Sequence, residues 1–111
     1  MRLVIIESPY AGDVERNLAY ARAAMHDCLM RGEAPLASHA LYTQPGVLRD
    51  EVPGERELGI AAGLAWGHLA GSTVVYVDLG ITAGMEQGMA DARMTGRPIE
   101  RRSLPGWEKT P

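Results

Sequence analysis

The stretch that most constrains how this 111-residue chain can fold is its beginning, where Arg2 to Ser8 reads RLVIIES, an apolar run with no alternating polar face. A strand of that kind is covered on both sides, as strands are in a parallel sheet between layers of helices. Ser72 to Asp78, STVVYVD, repeats the pattern in the second half. Between the two the period changes. Asp13 is placed to cap a helix in which Val14, Leu18, Ala21, Met25, Cys28 and Leu29 recur at steps of three or four, and Gly32 ends it. Ala34 to His39 reads as a second strand beside Pro35, and Ala40 to Pro53 as a loop punctuated by Pro45, Gly46 and Pro53. Gly54 to Ala70 reads as a helix in spite of Gly59, Gly63 and Gly67, each of which costs up to about 1 kcal/mol against alanine. After Gly80 a turn leads into a helix running to Arg93 or Met94, Gly96 stops it, and Arg97 to Arg101 forms a short edge strand.

Strands alternating with helices predict an α/β domain with a parallel sheet of four to five strands, a compact three-layer sandwich of the flavodoxin-like or Rossmann-like kind. The domain is expected over residues 1–103, with 104–111 as a C-terminal tail carrying Trp107. In such sheets ligands bind at the carboxyl ends of the strands, beside the point where strand order reverses. That rule singles out Glu7 to Gly12, Ser38 to Tyr42 and Asp78 to Glu86.

Composition removes several function classes. The net charge of −3 gives no electrostatic footprint for a nucleic-acid polymer or an anionic membrane. Cys28 is alone, so neither an internal disulfide nor a cysteine-based zinc site is expected, and His26, His39 and His68 lack metal-ligand spacing. No phosphate-loop lysine follows Gly84 and no Gly-x-Gly-x-x-Gly follows either strong strand, which disfavours triphosphate hydrolysis and hydride transfer. No metal or cofactor is expected. With no signal-peptide pattern and no long apolar run, the expected setting is the cytoplasm.

Chemistry concentrates near the third strand. Gly84-Met85-Glu86-Gln87-Gly88-Met89-Ala90 sets an acid in the first turn of a helix between two glycines. A carboxylate there answers the helix dipole, or it attacks an anomeric carbon that the small neighbours let approach. Thr82 to Ala90, followed by Ala92-Arg93-Met94-Thr95-Gly96-Arg97-Pro98, resembles the nucleoside 2-deoxyribosyltransferase superfamily, which includes 2′-deoxynucleoside 5′-phosphate N-hydrolases. Its hallmark is Gly-aromatic-Glu-x-Gly-x-Ala and then Ala-x-x-x-Gly-Lys-Pro. Ile5 to Gly12, IIESPYAG, is similar to the superfamily's first-strand signature. The chain departs from the pattern at Gly71-Ser72, where relatives often carry an Asp, and at Thr82, where they often carry Gly.

The resemblance implies an N-glycosidase or deoxyribosyltransferase acting on a deoxynucleoside or its 5′-monophosphate, with Glu86 as the nucleophile. Asp78, at a strand end, is the candidate acid for the leaving base, or a turn former. Ser8, Tyr10, Gly12, His39, Thr82 and Gly84 are the candidate substrate-binding residues. A second reading keeps the pocket as a sensor or sequestering site that binds a nucleotide-derived ligand without cleaving it. The glycines at 59, 63 and 67 form one stripe on a helix face, which fits the chain's own sheet or another subunit; Leu64 and Trp66 beside it tip the expectation to a two-fold homodimer, with Trp107 as a tail able to reach across.

Overall fold

The computed structural model describes residues 1–107. The chain runs β1 (Arg2–Glu7), α1 (Val14–Met30), β2 (Glu33–Leu36), α2 (Ser38–Leu41), α3 (Pro53–Gly67), β3 (Ser72–Tyr76), α4 (Ala83–Met94) and β4 (Ile99–Arg102). The four strands form one parallel sheet in the order β2-β1-β3-β4. The flavodoxin-like expectation holds, and strand order reverses between β1 and β3. No helix among the described residues is long and apolar enough to cross a membrane.

Alternation along the two central strands splits the core. Val4, Ile6, Val74 and Tyr76 pack with Tyr20, Ala24 and Cys28 of α1. Val75 faces the other way and packs with Met85 and Met89 of α4, beside Val77 and Ile99. The central strands are thus buried on both faces, which is why their sequences lack a polar face.

Two elements differ from expectation. Ser38 and His39 do not end a strand; β2 stops at Leu36 and the two residues open α2. Pro35 sits in an edge strand paired on one side only, to Val4. An edge strand tolerates the missing N–H, and little pairing is available to prolong it. The tail expected to begin at 104 starts inside the core: Leu104 is 6% exposed, and Trp107 packs edge-on against Tyr20 with ring centroids 5.1 Å apart. Trp107 is therefore engaged within its own chain. Residues 108–111 of that expected tail lie outside the described residues.

The glycine stripe of α3 is also used internally. A Cβ at Gly59 would stand 3.2 Å from Leu48 Cδ1, one at Gly63 would stand 2.6 Å from Ser38 Oγ, and one at Gly67 would stand 3.2 Å from the Arg97 guanidinium. Each absent side chain admits a group of the same chain, so the stripe is not a seam for another molecule. Leu58 and Trp66 of α3, and Leu69 in the turn after it, are exposed.

Candidate functional site

A cavity of about 300 Å³ opens at the carboxyl end of β1, between α3 and α4, as topology predicts. Ile5 and Glu7 of β1, Ile60, Gly63 and Leu64 of α3, and Gly84, Gln87, Gly88 and Asp91 of α4 line it. These four α4 residues recur at the spacing of a single helix face, and Ala83 and Met85 of the first turn also line the cavity. Tyr10 and Ala11 close another side, and their carbonyls each accept a 2.9 Å hydrogen bond from Asn17 Nδ2. Asp13 Oδ1 accepts from the Arg16 amide at the start of α1, so a carboxylate already serves that helix terminus.

Glu7 ends β1 on the same face as Ile5. Burial pushes its carboxyl up to about 8, the Arg97 guanidinium opposing this and Asp91 adding to it. At neutral pH the group is mostly a neutral acid able to donate a proton. Ser8 leaves the strand beside it and is hydrogen-bonded to His39 at 2.7 Å, Oγ to Nε2. Burial lowers the His39 imidazole to about 4, so it is uncharged at neutral pH.

Opposite charges meet on the α4 side. Arg97, only 8% exposed, donates to Asp91 Oδ2 at 3.0 Å, to the Gly67 carbonyl at 2.8 Å and to Thr73 Oγ1 at 2.8 Å. This fork ties α4 to α3 and β3 and sets the Asp91 carboxylate in the cavity wall. A looser pair, Arg56 with Asp50 at 3.8 Å, stands among the lining residues.

Of the residues singled out in the sequence, Ser8, Tyr10, His39, Thr82 and Gly84 line the cavity. Thr82 also caps α4, its Oγ1 accepting from the Met85 amide. Three others stand elsewhere. Gly12 makes the turn into α1 at φ +98° and is not a lining residue. Asp78 is held in the framework: its Oδ2 accepts from the Tyr20 hydroxyl at 2.6 Å and from the Leu104 amide at 2.8 Å. Those bonds join the turn after β3 to α1 and to the segment after β4, away from the cavity lining.

Glu86 is exposed and also lies off the lining. At about 100° per residue, positions 84, 87, 88 and 91 share the cavity face while 86 falls on the far side of the helix. The acids that do line the cavity are Glu7, Asp50 and Asp91. Glu7 lies in the strand-end stretch that topology singles out, and its signal for a site role is that of an acid closing a strand buried on both faces. Asp91 and Arg97 carry no local signal, because only the packing of α4 brings them to the cavity.

A solved structure of similar fold was reported as the 2-deoxyribosyltransferase of the psychrotolerant bacterium Bacillus psychrosaccharolyticus, with TM-score 0.63 and 16% sequence identity over 98% of this chain and 77% of that one. No curated protein matches the sequence. A family model described as a domain of unknown function, DUF7768, matches residues 2–102, from the start of β1 to the end of β4, and the chain belongs to that family.

Proposed function

We propose that the protein breaks or transfers the N-glycosidic bond of a deoxynucleoside or a deoxynucleoside 5′-monophosphate bound in the cavity between α3 and α4. The observation that carries this reading is Glu7, a carboxyl pushed up to about 8 in a cavity that also holds the Asp91 carboxylate. Two carboxyl groups in unlike environments are the usual equipment for glycosidic cleavage. The similar fold of a deoxyribosyltransferase supports the choice of sugar.

In this mechanism Glu7 donates its proton to the leaving base as the bond from C1′ to nitrogen breaks, and the base takes the electron pair. The ionic carboxylate of Asp91 faces the positive charge that develops at C1′. Water or a second base then bonds to C1′, and its proton returns to Glu7. Burial of Glu7 supplies the acid form at neutral pH. Arg97 fixes Asp91 through its three framework bonds.

The experiment is incubation with a panel of deoxynucleosides and their monophosphates, with free base detected by chromatography. Release by the wild-type protein and its loss in Glu7→Gln support the reading, and no release from any member refutes it. The position of Glu86 off the cavity favours a second reading, in which the protein binds a nucleoside-derived ligand without cleaving it. Thermal stabilisation by panel members without base release identifies that case. The proposal includes two-fold self-association through a surface other than the glycine stripe, which sedimentation at micromolar concentration checks.

A further inference from the structure

Gly88 sits in the middle of α4, on the face turned to the cavity, and its backbone is ordinary helix without positive φ. A mid-helix glycine costs about 1 kcal/mol relative to alanine, so a glycine that no backbone angle requires points to a demand for space. The structure shows the demand. A Cβ on Gly88 would overlap the Glu7 carboxyl group, with Oε2 and Cδ its nearest neighbours and Oε1 2.8 Å away. One turn earlier, a Cβ on Gly84 would meet nothing closer than Thr82 Oγ1 at 3.9 Å. The Glu7 carboxyl therefore occupies the volume into which a side chain from this one position of α4 would project.

We propose that the cavity contains a single carboxylate seat reachable from two backbones, β1 at position 7 and α4 at position 88. In this chain the strand fills the seat and Gly88 acts as the positioning residue that keeps it open. The carboxyl that reacts is thereby delivered by the strand, while the acid that α4 carries in its first turn, Glu86, stands outside the cavity. The charged and titratable groups sharing the cavity wall are Asp91 of α4, Arg97 after it, His39 of α2, Asp50 before α3, Arg56 of α3 and Tyr10 after β1. Of these, Arg97 and Asp91 act on Glu7 with opposite signs, so burial sets its protonation. A carboxyl entering the same seat from α4 meets the same burial.

The test combines carboxyl titration by NMR, which is independent of the glycosidic reading, with base release, which rests on it. In the wild type the Glu7 carboxyl titrates near 8, and in Gly88→Ala it falls toward the ordinary 4.5 because the methyl group expels it from the seat. In the double variant Glu7→Ala with Gly88→Glu, the introduced carboxyl again titrates well above 4.5, and base release recovers by at least about tenfold over Glu7→Ala alone. A Gly88→Ala protein whose Glu7 still titrates near 8 overturns the proposal. So does a double variant whose introduced carboxyl titrates as a surface glutamate, or one that fails to fold while Glu7→Ala folds. Should Gly88→Ala itself not fold, the double variant decides, since it vacates position 7. Expected titrations in a protein that releases no base leave the shared seat standing and refute the glycosidic reading instead.

Discussion

Ser8 Oγ and His39 Nε2 lie 2.7 Å apart, and this bond joins the end of β1 to α2, a helix with no side-chain N-cap. Both residues are cavity walls, so the bond holds two sides of the site in register. Ser8→Ala leaves a buried imidazole nitrogen without its partner and is expected to destabilise the protein by about 1–3 kcal/mol, measured by urea denaturation at pH 7. The His39 titration midpoint should stay near 4, because burial and not the serine sets it.

Stability should have an unusual pH dependence. Glu7 is raised from 4.5 to about 8 in the fold, so the native state holds its proton more tightly, and stability falls as pH rises from 4.5 through 8. His39 is lowered from 6.5 to about 4, so stability also falls as pH drops from 6.5 toward 4. Between 4.5 and 6.5 the two slopes oppose one another, and the maximum belongs there. Glu7→Gln removes the alkaline loss. Its melting temperature should exceed that of the wild type by about 5 °C or more at pH 9 and match it at pH 5. Equal curves at pH 9 would show that Glu7 titrates as an exposed carboxylate.

The two glutamates separate the catalytic assignments. Glu7→Gln should lower base release by about 100-fold or more, the scale of a lost general acid, whereas Glu86→Gln should leave it within about twofold. Reversal of that order, read by chromatography on the same nucleoside, would return the reacting role to the first turn of α4.

Arg97 makes bonds to Asp91, Gly67 and Thr73 that one ammonium group cannot reproduce, because only the guanidinium fork presents donors in those directions together. Arg97→Lys is expected to cost about 2–4 kcal/mol in denaturant unfolding, since breaking a buried pair strands its partners. Gly67→Ala, whose methyl group would meet the guanidinium at 3.2 Å, should cost less and in the same direction.

By itself the sequence determined the layers. RLVIIES and STVVYVD lack a polar face because the sheet covers both sides of β1 and β3, and the three- and four-residue spacing of Val14 to Leu29 marks α1. Those are local periodicities, visible without knowing any long-range contact. From strand order alone followed the location of a cavity at the end of β1, and with it Ser8, Tyr10, His39, Thr82 and Gly84. Tertiary structure decided which acids face that cavity. Glu86 and Gly88 are two residues apart in the chain, yet the helical turn sends 86 outward and points 88 at Glu7. Asp78, read as a strand end, lies in the turn two residues beyond β3, and the Tyr20 hydroxyl and the Leu104 amide claim its carboxylate. The glycines of α3 form the stripe their spacing announces, and what fills it is Leu48, Ser38 and Arg97 of the same chain. A motif fixes which residues are near one another along the backbone. The direction in which each side chain leaves a helix, and which distant group already occupies the space it would enter, are properties of packing.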